Sequence, residues 1–130
     1  MWRALLLSIV LAAAAASGCA TATSMRHAER AEQAQDYDRA VVEYTKIVRA
    51  NPGDRNARAA LERVKLRAAA DHAGRARRLA GLERYDEALV EYQLASELNP
   101  TDAQIDTALR EVRQRLRTRV TVTRAGRTEL

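Results

Sequence analysis

Two stretches decide the fold: "YDRAVVEYTKIVRANPGD", Tyr37 to Asp54, and "YDEALVEYQLASELNPTD", Tyr85 to Asp102. They align without gaps at an offset of 48, and nine of the 18 positions are identical. Chance would give roughly one such match, so the chain carries an internal repeat, and that repeat governs any fold assignment. Each copy reads as a helix. Asp38 or Asp86 is placed to cap its start, and Asn51-Pro52 or Asn99-Pro100 ends it, because proline cannot continue the hydrogen-bond ladder. Ala40, Tyr44, Ile47 and Val48 share a face in the first copy. In the second copy Ala88, Tyr92 and Ala95 do so, flanked by Leu89.

Outward from each copy the pattern stays helical. Alanine-rich stretches precede them, Met25 to Gln35 and Ala68 to Leu82, joined through Gln35-Asp36-Tyr37 and Glu83-Arg84-Tyr85. Between the copies, Ala57, Leu61, Val64 and Ala68 step by four, three and four, and Ala73, Ala76 and Ala80 by three and four. Ala69 bridges the single irregular step, so the spacing predicts one long helix from about Asp54 to Leu82 over two helices broken near Asp71 or Gly74. Asp102 to Arg117 reads as a last helix with Ile105, Ala108, Leu109, Val112 and Leu116 on one face, placed to cap the second copy. Arg119 to Thr123, "RVTVT", then alternates like a strand. The tail 118–130 is expected to be basic and strand-like or disordered, to pair with a partner, or to lead into a longer protein. Composition agrees with an all-α domain over 25–117: alanine and arginine dominate, phenylalanine is absent, and there are five glycines and two prolines.

The helix–turn–helix resembles the tetratricopeptide repeat. That family places a small residue in the first helix, here Ala28 and Ala76. An aromatic at the turn, an alanine and a large aromatic one turn later then follow, here Tyr37, Ala40 and Tyr44, then Tyr85, Ala88 and Tyr92. A proline closes each repeat, Pro52 and Pro100. Two features depart from it. His27 and Arg75 lie where large apolar residues are expected, and the family's period is about 34 residues. The surplus over that period is roughly four helical turns, so it can lengthen a helix without rotating its buried face. The resemblance implies two repeats, a capping helix and one elongated helix. It also implies a groove for extended peptides, lined by Arg26, Glu29, Glu32 and Gln33, then by Ala73, Arg77 and Ala80. Arg77 is suited to holding a carboxylate in a two-pronged grip.

The N-terminus carries a different signal. After Met1-Trp2-Arg3, the run from Ala4 to Ala16 is uncharged and mostly apolar. That run is too short for a spanning helix of about 20 residues and suits a signal-peptide core. Ala16, Ser17 and Gly18 lead into Cys19, the single cysteine of the chain, which excludes an internal disulfide. The arrangement is similar to the lipobox of bacterial lipoproteins, with Ala16 standing where a larger aliphatic residue is usual. The resemblance implies that residues 1–18 are a cleaved signal peptide with Ala16, Ser17 and Gly18 read by the peptidase. Cys19 would then be acylated, and 19–24 would form a lipidated tether. Ala20 after the cysteine, in place of Asp, implies the periplasmic face of the outer membrane. An ordinary secretory signal that leaves a free thiol in the periplasm is the alternative.

Charge and chemistry narrow the function. The chain has 22 basic and 17 acidic residues, a net charge of +5, and Arg110 to Arg127 holds seven arginines against the single acid Glu111. Such a segment attracts nucleic acid or anionic lipid, or is a solvated helix face, and export puts nucleic acid out of reach. Catalysis finds no nucleophile–base pair. His27 and His72 lack metal-ligand spacing and are read as surface or groove residues, so no metal, cofactor or small-molecule substrate is expected. The expected function is therefore non-enzymatic: a protein-binding scaffold or adaptor for partners in the bacterial envelope. The alternative is the leader region of a secretin-like outer-membrane pore subunit of type II secretion or pili, suggested by repeats followed by "RVTVTRAGRTEL".

Overall fold

A computed structural model describes residues 23–127, and every secondary-structure element among them is a helix. These are α1 (residues 23–33), α2 (Tyr37–Ala50), α3 (Arg55–Gly81), α4 (Tyr85–Leu98) and α5 (Ala103–Arg127). The signal-peptide and lipidation residues, Ala16 to Cys19, lie outside the described residues. The chain divides into two compact units, at Val64 and Lys65.

In the first unit, Ala28 and Ala31 of α1, Ala40, Tyr44 and Ile47 of α2, and Ala57, Ala60, Leu61 and Val64 of α3 form one core. Ala28, Ala40, Ala57 and Val64 are completely buried. Alanine at these positions lets helix backbones approach closely, and Tyr44 and Ile47 supply the volume. In the second unit the core is Ala69, Ala73 and Ala76 of α3, Ala88, Tyr92 and Ala95 of α4, and Ile105, Leu109 and Val112 of α5. Adding 48 to the first unit's nine core positions lands on seven of the second unit's. The remaining two, Leu79 and Ala108, are half-buried against the same core. The repeat seen in the sequence is thus a repeat of packing, and it includes the segments before and after the aligned stretches.

The turns repeat as well. Gln35 and Glu83, at equivalent positions of the two copies, both adopt left-handed backbone, with φ of 58° and 59°. In the first turn Asp36 N–H donates to Ala31 C=O at 2.9 Å and Gln35 N–H to Glu32 C=O at 3.0 Å; in the second, Arg84 donates to Leu79 and Glu83 to Ala80, both at 3.0 Å. Both are Schellman closures, which satisfy the orphan carbonyls at the end of a helix. After α2 and α4, Asn51 and Asn99 donate back to Ile47 and Ala95 at 2.9 Å, and the exposed Pro52 and Pro100 follow. Asp54 and Asp102 then cap the next helices, accepting from Ala57 N–H at 3.0 Å and Ile105 N–H at 3.2 Å.

Three expectations are corrected. Asp38 and Asp86 do not cap α2 and α4; they lie inside the first turn. The capping positions are Asp36, which accepts from Arg39 N–H at 3.1 Å, and Arg84, whose side chain makes no capping bond. The tail is not strand-like. The helix expected to end near Arg117 continues through Arg127. The physical reason is that extending a formed helix costs only small propensity terms, while "RVTVT" has no strand to pair with. Finally, His72 is not a surface residue. It is 5% exposed, and charged neighbours on α3 and α4 satisfy it.

Candidate functional site

The two units use the same scaffold differently at one place. In the first, Arg63 grips Glu32 with two bonds, Nε to Oε1 at 3.1 Å and Nη2 to Oε2 at 2.9 Å. The Tyr44 hydroxyl donates to the same carboxylate at 3.3 Å. Burial first, then the Glu32 charge, pushes the Tyr44 hydroxyl pKa up, and the Glu32 bond holds the Arg63 guanidinium protonated. Glu32, expected in a groove, is instead the centre of an internal brace joining all three helices of its unit.

In the second unit the equivalent positions are Ala80, Glu111 and Tyr92, so no such brace is formed. In its neighbourhood lies a cavity of about 320 Å³. Ala69 and Ala73 of α3 and Ile105 and Ala108 of α5 give it an apolar lining, while Arg77, Tyr92 and Asn99 supply polar groups. Arg77 is exposed, and Tyr92 is 5% exposed. Burial pushes the Tyr92 hydroxyl up, and the Arg77 charge works the other way. The lining offers one guanidinium, one phenol and two amides, together with the Asp102 carboxylate, which is engaged in capping α5; the exposed Arg77 is the group suited to a carboxylate carried on an extended, lightly apolar segment.

Of the residues expected in the groove, Arg77 lines this cavity. Arg26, Glu29 and Gln33 are exposed on α1, Ala73 is part of the core, and Ala80 is half-buried. Sequence reasoning missed Asn99 and Gln104, which also line the cavity. Asn99 was legible only as half of the helix-stopping Asn-Pro pair. The packing residues sit where the repeat pattern puts them: Ala28, Ala40, Tyr44, Ala76, Ala88 and Tyr92 are buried, and Tyr37 and Tyr85 are half-buried at the turns.

A second polar cluster braces α3 against α4. His72 Nδ1 lies 2.7 Å from Glu91 Oε2, and Arg75 Nε donates to the same oxygen at 2.9 Å. Arg75 also pairs with Asp71. Burial raises the Glu91 carboxyl pKa, but the bonds from His72 and Arg75 outweigh it and leave the group below the ordinary carboxylate value. Every polar member faces a partner on a neighbouring turn or helix, which is the pattern of a structural brace.

Beyond it, α5 is strapped to the α3–α4 turn. Arg119 reaches Glu83 at 3.1 Å and lies over the Tyr85 ring, 5.0 Å from its centroid. These three residues line a shallow surface cavity of about 720 Å³ together with Glu111, Gln114, Arg115 and Thr118.

Among the described residues no group of three or more histidine, cysteine or acidic side chains is placed to hold a metal ion. No helix among them is long and apolar enough to cross a membrane. Compared with known proteins, the chain matches no family model, no curated sequence and no solved structure. Its class therefore rests on its own geometry: an all-helical protein built on an internal duplication.

Proposed function

We propose that this chain is a lipid-anchored adaptor of the bacterial envelope, a tetratricopeptide-like protein that holds a partner by an extended segment and performs no catalysis. The observation that carries the adaptor reading is the second unit's cavity, where Arg77, Tyr92 and Asn99 surround small apolar side chains. Supporting the repeat class are the paired Schellman turns at Gln35 and Glu83 and the seven equivalent core positions. The anchor reading is carried by Ser17-Gly18-Cys19 after the apolar run. On this reading the acyl chains on Cys19 hold the domain at the periplasmic face of the outer membrane, and the partner is an envelope protein. The pore-subunit reading drew on the alternating tail, and that segment is helical in α5.

Two measurements test the proposal separately. Intact mass of detergent-extracted protein should show Cys19 acylated and residues 1–18 removed; full-length protein with an unmodified thiol would overturn the anchor. A panel of acidic-ended extended peptides should bind with micromolar affinity and lose about tenfold in Arg77→Gln, from loss of a charge-assisted bond of about 1.5–3 kcal/mol partly screened by solvent. Binding indifferent to Arg77→Gln would overturn the groove.

A further inference from the structure

We propose that α5 carries a second binding surface, a stripe of arginines that docks onto the phosphates of an anionic lipid surface. Between Val112 and Thr128 the chain holds six arginines and no acidic residue. At about 100° per residue, positions 110, 113, 117 and 124 fall within about 60° of one another, along one line of the helix. Arg110, Arg113 and Arg117 are exposed, and Arg124 occupies the same line by register. The line runs beside the buried Ile105, Leu109 and Val112, so the core contact of α5 leaves Arg110, Arg113 and Arg117 facing outward. Arg110 pairs with Asp106 one turn earlier, which makes it part of the helix's own bracing, so the test below leaves it in place.

Among the side chains of α5 that are described, those up to Val120, the last buried one is Val112, with Leu116 half-buried, and the helix backbone continues to Arg127. Within the repeat, the equivalents of the buried Ala69, Ala73 and Ala76 of α3 are Arg117, Thr121 and Arg124. Where α3 continues into a second core, α5 carries positive charge in the same register.

Three observations favour lipid over other polyanions. A straight line of guanidiniums fits a flat field of phosphates, each able to take two donors. Base stacking has no ring to use in this unit: Tyr92 is buried, and Tyr85 already lies under Arg119. A protein partner would need a desolvated apolar centre, and among the described residues of α5 the one exposed large apolar side chain is Val120, 55% exposed. A single valine amid arginines instead suits shallow contact at headgroup level. The inference takes from the preceding reading only that the chain works at a membrane. Its role there is to hold the helical domain against the surface to which the acyl chains tether it.

The test uses the full chain carrying Cys19→Ser, so acylation plays no part and the two proposals fail independently. Co-sedimentation is measured with vesicles of phosphatidylcholine alone and with vesicles of phosphatidylcholine and phosphatidylglycerol mixed two to one, in low salt and in half-molar salt. Preferential binding to the anionic vesicles, lost in high salt, is expected. Arg113→Gln/Arg117→Gln/Arg124→Gln should weaken it on the order of a hundredfold, from about 1 kcal/mol per basic residue near such a surface. Arg113→Lys/Arg117→Lys/Arg124→Lys should retain most of it and controls for folding. A charge-matched variant on the first unit, Arg39→Gln/Arg49→Gln/Arg58→Gln, should lose less than tenfold. Equal binding to both vesicle types, equal losses in the two glutamine variants, or tighter binding to duplex DNA at the same phosphate concentration would overturn the proposal.

Discussion

Removing one oxygen atom from each of two equivalent tyrosines should have unequal consequences. Tyr44 and Tyr92 hold the same place in the repeat and are almost equally buried, 2% and 5% exposed. Tyr44→Phe deletes a bond to the Glu32 carboxylate at 3.3 Å. A hydrogen bond to a charged group contributes about 1.5–3 kcal/mol, but this one is longer than the preferred length of roughly 2.7–2.8 Å, and Glu32 keeps both bonds from Arg63. The net cost is therefore about 1 kcal/mol. In the second unit, Ala80 stands where Glu32 would be, so Tyr92→Phe loses no such bond and sheds a hydroxyl that burial already penalises. Its expected effect lies within about 0.5 kcal/mol of zero and is stabilising if anything. Urea unfolding followed by far-ultraviolet circular dichroism would measure both, and a shift of about 1 kcal/mol corresponds to roughly 4–8 °C in Tm for a domain of this size. A cycle combining Tyr44→Phe with Glu32→Gln should return a coupling of about 0.5–1 kcal/mol. Equal losses in the two single variants, or zero coupling, would refute the claim that the first unit is braced there and the second is not.

Other perturbations test the turns, the caps and the polar cluster. Gln35→Gly and Glu83→Gly should each stabilise by about 0.5–1 kcal/mol, because glycine relieves the left-handed strain and returns only part of that as unfolded-chain entropy; thermal melts would show it. Asp54→Ala and Asp102→Ala should each cost about 1 kcal/mol by removing an N-cap, and Asp38→Ala should cost less than half of that. Glu91 is held below its ordinary pKa, so its pairing contributes stability that is present above the unfolded value, near 4.5, and is lost as pH falls through the lower folded value. Stability measured from pH 6 down to pH 3 should fall more steeply in the unaltered protein than in Glu91→Gln, with parallel curves counting against the brace.

How far the fold was legible follows from which signals are local. The alanine and tyrosine positions were readable because a helix buries residues three and four apart, and a duplication states that pattern twice. The length of α3 was readable for the same reason: 27 residues, from Arg55 to Gly81, against an expectation of about Asp54 to Leu82. The caps were misread because Asp36 and Asp38 are both competent cap residues, and only the Schellman turn decides which one stands outside the helix. In the second copy the equivalent position is Arg84, which has no capping oxygen, so composition pointed to Asp86. The cavity was half legible. Arg77 followed from repeat register, but Asn99, Asp102 and Gln104 come from the α4–α5 turn and the start of α5, and only the fold brings them beside α3. His72 was opaque because its partner Glu91 is 19 residues away on another helix.

The tail exposes the limit of local pattern most clearly. Val120, Thr121, Val122 and Thr123 are β-branched, and each disfavours a helix by roughly 0.5–0.7 kcal/mol relative to alanine. In isolation that run would not nucleate a helix. Its state, however, is set by what precedes it. α5 has already passed nucleation at Ala103, where Asp102 caps it, and every added residue gains a backbone bond without a new nucleus. Arg119 then fixes the helix at the entrance to the run, through Glu83 on one side and the Tyr85 face on the other. A strand would have to give up those contacts and expose unpaired backbone for want of a neighbour. The deciding residues are therefore Asp102, Glu83 and Tyr85, none of them in the run itself, and the same two contacts hold the middle of the arginine-rich segment in helical register.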